Sequence, residues 1–128
     1  MKITVIGFGY IGSVISAVLC EAGHSVNAIE QNPKVINDIN NRIFNIPEPE
    51  LDELVFSAID SNSLKITDSY DDVSSSDAIL VTVGTPLSEE FDADLSALEG
   101  VFKELSLKAQ DGQIIMIKST VPPGVTRM

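Results

Sequence analysis

Three glycines near the start of the chain have the spacing of a phosphate-binding turn. Gly7, Gly9 and Gly12 follow a β-branched run at residues 3–6, and an apolar helical pattern follows them. In a G-x-G-x-x-G turn the first glycine permits the tight bend, the second lets the backbone approach a diphosphate, and the third lets the helix pack closely on the strand. The N–H groups at the helix start favour an anion. The motif therefore predicts a diphosphate site.

A carboxylate follows the second apolar run, residues 26–29. Glu30 lies about 20 residues beyond the glycines, where a dinucleotide-binding fold places an acid that accepts the adenosine ribose hydroxyls. Uncharged Gln31 and Asn32 come next, and a carboxylate repels a 2′-phosphate, so the pattern favours NAD as the cofactor. A glycine turn alone is also compatible with a βα turn that binds nothing. The complete order of strand, glycines, helix, strand and acid favours dinucleotide binding.

Strand and helix patterns alternate along the chain. Apolar or β-branched runs predict strands at residues 3–6, 26–29, 64–67, 78–83 and 113–117, the last two as buried strands. Helical spacing predicts helices at residues 10–21, 34–41, 50–58 and 95–107. We therefore predict a single three-layer α/β domain, a Rossmann-type doubly wound parallel sheet with strand order 3-2-1-4-5. The ligand should cross the carboxyl ends of the first and fourth strands.

Individual residues support these helix boundaries. Gly23 is predicted to end the first helix in the C′ position, Pro33 to open the second helix, and Asp94 to cap the last one. His24 is predicted to cap the end of the first helix. Cys20 lies in the apolar face of that helix, so we interpret it as a buried structural thiol and not as a nucleophile.

Composition limits the function classes. The chain has 128 residues, of which 44% are hydrophobic and 21% charged, as in one globular domain. Its net charge of −11 argues against nucleic acid and anionic membrane as partners, because both require clustered Lys and Arg. No apolar run could span a bilayer and the start is not a signal peptide, so we expect no membrane association and a cytoplasmic location. No metal site is predicted.

Four further features are motif segments: MKITVIGFGYIG at residues 1–12, EPEL at 48–51, VGTP at 83–86 and KSTVPPG at 118–124. By these segments the chain resembles the NAD-binding N-terminal domain of the UDP-glucose/GDP-mannose dehydrogenase family, the nucleotide-sugar 6-dehydrogenases. They occur in the family's order and together cover the chain. The VGTP and KSTVPPG segments speak against other hydride-transfer enzymes, such as relatives of 6-phosphogluconate or 3-hydroxyacyl dehydrogenases.

The resemblance implies a set of NAD contacts: Gly7, Gly9, Tyr10, Ile11, Gly12, Glu30, Lys34, Val83, Gly84, Thr85, Pro86, Ser119 and Thr120. Ser119 and Thr120 are expected near the nicotinamide. In the family this threonine helps to hold a catalytic water, so Thr120 is the predicted catalytic residue, since a hydroxyl both donates and accepts hydrogen bonds. The alternative for Thr85 and Thr120 is hydrogen bonding to the local backbone of a turn.

The chain departs from the family pattern at four positions. Glu30 stands where aspartate is more common, and Lys34 is displaced by one position from the family lysine. Glu50 replaces the glycine of the common EPGL sequence, and Val125 replaces a threonine. None of these changes removes the features that predict dinucleotide binding.

Family members continue into a central helix and a domain that binds the nucleotide sugar and carries the catalytic cysteine. Cys20 does not match that cysteine. We therefore expect the NAD-binding part, residues 1–128, of a longer homodimeric enzyme of UDP-glucose or UDP-N-acetylmannosamine type. Its parent would oxidise the sugar C6 alcohol to a carboxylate by two hydride transfers, and this chain alone would be inactive. The alternative is a stand-alone regulatory or redox-sensing NAD(H)-binding module, which would not need Ser119 or Thr120.

Overall fold

The structure, a computed structural model, describes residues 1–84 and 95–118. Its elements are β1 (Lys2–Ile6), α1 (Tyr10–Glu21), β2 (Ser25–Ile29), α2 (Pro33–Asn40), α3 (Leu51–Asp60), β3 (Leu64–Thr67), a 3-10 turn (Val73–Ser75), β4 (Ala78–Val81), α4 (Ser96–Lys108) and β5 (Ile114–Ile117). All strand pairs are parallel, and the order is β3-β2-β1-β4-β5. The predicted doubly wound sheet and its strand order are confirmed.

The register of the sheet aligns the carboxyl ends of its three central strands. Ile6 at the end of β1 lies opposite Ile29 of β2 on one side and opposite Val81 of β4 on the other. The segments that follow these strands therefore leave the sheet at the same edge. Gly7, Glu30 and the residues after β4 are brought together in this way, although they are far apart in sequence.

Two apolar clusters cover opposite faces of the sheet. One contains Val5 and Ala28 of the sheet and Val55 of α3, with α1 packed on the same face. The other contains Ile79 and Leu98, which join β4 to α4. Side chains alternate between faces along a strand, so the central strands β1, β2 and β4 supply both clusters, and the domain has three layers. In the part of the chain that the structure describes, no helix is both long and apolar enough to cross a membrane.

The end of α1 has the predicted glycine. Gly23 has φ +98, its N–H donates to the Cys20 carbonyl at 3.0 Å, and the His24 N–H donates to the Leu19 carbonyl at 3.0 Å. This is the hydrogen-bond pattern of a Schellman motif. The ring of His24 is not part of it: its Nδ1 lies 3.3 Å from the amino group of Met1. Cys20 is half-buried, and burial raises the pKa of its thiol, as expected of a structural cysteine.

The predicted start of α2 is confirmed, whereas the predicted N-cap of α4 lies outside the described residues. Pro33 occupies the first turn of α2, and the Asn32 side chain accepts a hydrogen bond from the Lys34 N–H at 3.0 Å. Helix α4 begins at Ser96, and Leu95 is its N-cap residue without a side-chain hydrogen bond. Asp94, the predicted cap, lies outside the described residues.

The prediction that β5 is buried is wrong. Ile114, Ile115 and Met116 are 61%, 44% and 48% exposed. Met116 lies opposite Leu80, which lies opposite Val5, and exposure falls along this row from Met116 to the fully buried Val5. Helices α1 and α3 cover this same face over β1, β2 and β3. Within the described residues, Ile114 and Met116 therefore lack a covering helix.

Glu50 provides a test of backbone strain. It is the N-cap of α3 with φ 67, a left-handed conformation that favours glycine. We expect Glu50→Gly to raise the free energy of unfolding by about 0.5–1 kcal/mol, measured by urea denaturation. Glu50→Ala is the matched control, because it removes the charge but keeps the Cβ. Equal stabilisation by both variants would show that the charge and not the backbone is responsible.

Candidate functional site

The glycine turn is attached to both neighbouring strands. Gly7 has φ +98 and leads the chain out of β1, and its N–H donates to the Ile29 carbonyl of β2 at 2.7 Å. Its carbonyl accepts a hydrogen bond from the Thr82 hydroxyl, just beyond β4, at 2.8 Å. The Thr82 hydroxyl also lies 3.0 Å from the Ile6 carbonyl. The direction of the turn is therefore determined from two sides before any ligand binds.

The second and third glycines of the motif have different surroundings. A Cβ on Gly12 would lie 1.8 Å from the Gly7 carbonyl oxygen and 2.8 Å from the Thr82 hydroxyl oxygen. Gly12 is buried and is required for the packing of α1 against the turn. A Cβ on Gly9 would meet no described atom within 4 Å. The packing of the described residues does not require Gly9, so the space beside it is available to a ligand.

Both oxygens of the Glu30 carboxylate accept hydrogen bonds from backbone N–H groups. Oε1 accepts from Phe8 in the glycine turn at 3.1 Å, and Oε2 accepts from Asn32 at 2.9 Å. These contacts hold the acid of β2 directly beside the turn of β1. A carboxylate has about four acceptor sites, so Glu30 keeps capacity for the hydroxyls of a ribose.

A cavity of about 670 Å³ opens at this edge of the sheet. Its volume is in the usual range for small-molecule and cofactor sites. The predicted residues that line it are Gly7, Gly9, Glu30, Val83 and Gly84. These residues come from the ends of three strands, as the crossing of a ligand over the carboxyl ends requires.

Four other predicted residues lie outside the lining of this cavity. Tyr10 and Ile11 begin α1 and are half-exposed, and Gly12 lies buried behind the turn. The ammonium group of Lys34 is 2.7 Å from a carboxylate oxygen of Asp38, one turn along α2. Thr85, Pro86, Ser119 and Thr120 lie outside the described residues.

Tyr10 connects two of the motif segments. Its hydroxyl donates a hydrogen bond to the carboxylate of Glu48, the first residue of the EPEL segment. This hydrogen bond raises the pKa of Tyr10. The start of α1 is thus joined to the loop that leads into α3.

The sequence interpretation missed two parts of the site. One is Thr82, which it treated only as part of the strand at residues 78–83. The other is the wall that α4 contributes. The lining residues on α4 are Ser96, Ala97, Gly100, Val101 and Glu104. Gly100 was a detectable signal, because glycine is unfavourable inside a helix.

The charged side chains among the described residues that line the cavity are all acidic. The lining contains Glu30, Asp68 and Glu104 and has no Lys or Arg among its described residues. An anionic ligand must therefore be attracted by backbone groups. Helix α1 begins directly after Gly9, has no acidic residue in its first turn, and presents N–H groups without an intrahelical acceptor. These groups and the open space beside Gly9 fit the diphosphate of a dinucleotide.

Comparisons with known proteins agree with this geometry. The profile of the UDP-glucose/GDP-mannose dehydrogenase family, NAD binding domain, matches residues 1–128. The chain is 38% identical to the UDP-glucose 6-dehydrogenase of Rickettsia typhi over 97% of its length. Two solved structures, a UDP-D-ManNAc dehydrogenase from Pyrococcus horikoshii and a GDP-mannose dehydrogenase from Pseudomonas aeruginosa, each match 99% of the chain with a TM-score of 0.91, at 35% and 30% identity.

The chain spans 29–30% of the length of these relatives. The family profile covers every residue of the chain. The structure has the glycine turn and the neighbouring carboxylate that a NAD-binding domain of this kind needs. The protein therefore belongs to the UDP-glucose/GDP-mannose dehydrogenase family and corresponds to its NAD-binding domain.

Proposed function

We propose that the chain is the cofactor-binding part of a longer nucleotide-sugar 6-dehydrogenase of UDP-glucose or UDP-N-acetylmannosamine type. The observation that carries this proposal is the open space at Gly9 beside the anchored Glu30 carboxylate. The coverage of the relatives supports it, because the remaining part of such an enzyme would bind the nucleotide sugar. A homodimeric parent and a cytoplasmic location stay predictions.

Bound NAD supplies the hydride acceptor for oxidation of the sugar C6 alcohol to a carboxylate in two transfers. The chain's own residues bind and orient it. Backbone N–H groups at the glycine turn bind the diphosphate, and Glu30 accepts the adenosine ribose hydroxyls. Thr82 holds the Gly7 carbonyl and so keeps the turn in place. Thr120 is proposed to hold a water near the reacting carbon, on the family resemblance alone.

Glu30 also provides the preference for NAD over NADP. Its two oxygens are held at the turn by Phe8 and Asn32, so the carboxylate cannot swing away without losing both hydrogen bonds. A 2′-phosphate would place negative charge beside it. No arginine or lysine lines the described part of the cavity to compensate that charge.

A fluorescence titration with NADH and with NADPH tests the proposal. We expect this chain to bind NADH, to bind NADPH more weakly, and to show no turnover with NAD and UDP-glucose. Absence of binding at millimolar NADH would contradict the cofactor role. Turnover by this chain alone would contradict the assignment of the sugar site to another part of the enzyme.

The second candidate is a stand-alone regulatory or redox-sensing NAD(H)-binding module. It predicts the same titration, so binding alone does not separate the two. Activity of a full-length protein with a nucleotide sugar does. The family match over residues 1–128, including the KSTVPPG segment, favours the dehydrogenase.

A further inference from the structure

Gly100 is an unexplained glycine in the interior of α4. Glycine is unfavourable in a helix interior relative to alanine. A Cβ added at Gly100 would meet no described atom within 4 Å. Gly12 is different, because there the protein's own backbone excludes a side chain. Packing of the described residues therefore gives no reason for glycine at position 100.

Gly100 lies on the cavity wall that α4 contributes. Helix α4 packs against the segment that follows β3. At its far end the ammonium group of Lys108 lies 3.5 Å from a carboxylate oxygen of Asp71. Next to Asp71 in the chain is Tyr70, whose pKa is raised by burial and by the charge of Glu104. Gly100 is one helical turn from Glu104 and lines the same cavity.

Apolar side chains line the same cavity. Ile29 and Tyr70 line it from the sheet edge, and Val101 lines it from α4. All three belong to one apolar cluster. Glu30, the proposed ribose ligand, follows Ile29 directly. A ligand that places its ribose at Glu30 has these apolar residues and the backbone of Gly100 in the same cavity for its base.

We propose that Gly100 determines the fit of the adenine base: its missing side chain leaves the space that the flat purine ring occupies against α4. The inference rests on the proposed function, because it requires a dinucleotide with its ribose at Glu30. It assigns to one residue of α4 a role in recognising the adenosine half of the cofactor. In this proposal the nicotinamide half does not contact Gly100.

Gly100→Ala tests this inference, because stability and binding should change in opposite directions. Alanine should raise the unfolding temperature through its better helix propensity. It should weaken binding of NADH and of ADP-ribose about tenfold or more, the scale of one misplaced methyl group in an apolar pocket. Binding of reduced nicotinamide mononucleotide, which lacks the adenosine, should not change. Ser106→Ala, on an exposed position of α4 outside the lining, should leave all three affinities unchanged.

The outcomes separate this inference from the proposed function. If the unsubstituted chain fails to bind NADH, the proposed function fails. If it binds NADH and Gly100→Ala binds equally well, only the role of Gly100 is overturned. A lower unfolding temperature in Gly100→Ala, or equal weakening of all three ligands, would show that Gly100 is structural and would also overturn it.

Discussion

Gly12→Ala should lower the free energy of unfolding by about 2–4 kcal/mol and abolish NADH binding. The new methyl carbon would lie 1.8 Å from the carbonyl oxygen of Gly7 and 2.8 Å from the hydroxyl of Thr82. The first of these atoms belongs to the backbone of the turn, so no side-chain rotation can relieve the contact. Helix α1 would have to move away from β1. Urea denaturation followed by circular dichroism measures the loss.

Gly9→Ala is the matched control for this prediction. The added carbon meets no described atom, and Gly9 has an extended backbone with φ −86 that alanine also adopts. We expect its stability to stay within about 0.5 kcal/mol of the unsubstituted protein. Its affinity for NADH should fall, because the methyl group occupies the space for the diphosphate. A Gly12→Ala protein as stable as Gly9→Ala would contradict the close packing described above.

Glu30→Ala should weaken NADH binding by about 1–3 kcal/mol, or about 5- to 150-fold. The carboxylate is both the proposed acceptor for the ribose hydroxyls and the observed acceptor for the Phe8 and Asn32 N–H groups. Its removal should therefore reduce direct binding and loosen the turn. Isothermal titration calorimetry with NADH measures the change.

Glu30→Gln separates charge from shape. The amide oxygen can keep one of the two backbone contacts, while the negative charge is lost. We expect the preference for NADH over NADPH to fall in this variant, because the repulsion of the 2′-phosphate is removed. Unchanged NADH affinity in Glu30→Ala would exclude the carboxylate from the site, whatever Glu30→Gln does.

The sequence predicted the sheet because its signals are local. Each strand is a short apolar run and helical patterns separate most of them. The handedness of βαβ units then leaves few strand orders. Gly23 and Pro33 occupy the predicted helix ends for the same reason. Glu30 was identified because the spacing from the glycine turn to the end of β2 is set by one helix and one strand.

The residues that sequence reasoning missed depend on contacts between distant segments. Thr82 hydrogen-bonds to Gly7 across 75 positions of sequence, and no periodicity shows such a contact. The exposure of Met116 depends on whether a helix covers β5. The apolar side chain of Met116 favours burial but does not show which element would cover it. Lys34 matched a family position approximately, but in the structure its ammonium group pairs with Asp38.

Nuclear magnetic resonance of the ¹⁵N-labelled chain during an NADH titration locates the bound cofactor residue by residue. If the diphosphate lies at the glycine turn and the ribose at Glu30, the largest amide shifts should be those of Phe8, Gly9, Tyr10 and Asn32. We expect the shifts of these amides to saturate as NADH is added. The amides around Lys2 and Lys65, at the opposite edge of the sheet, should change little. Binding that leaves the turn amides unshifted would contradict this placement of the cofactor.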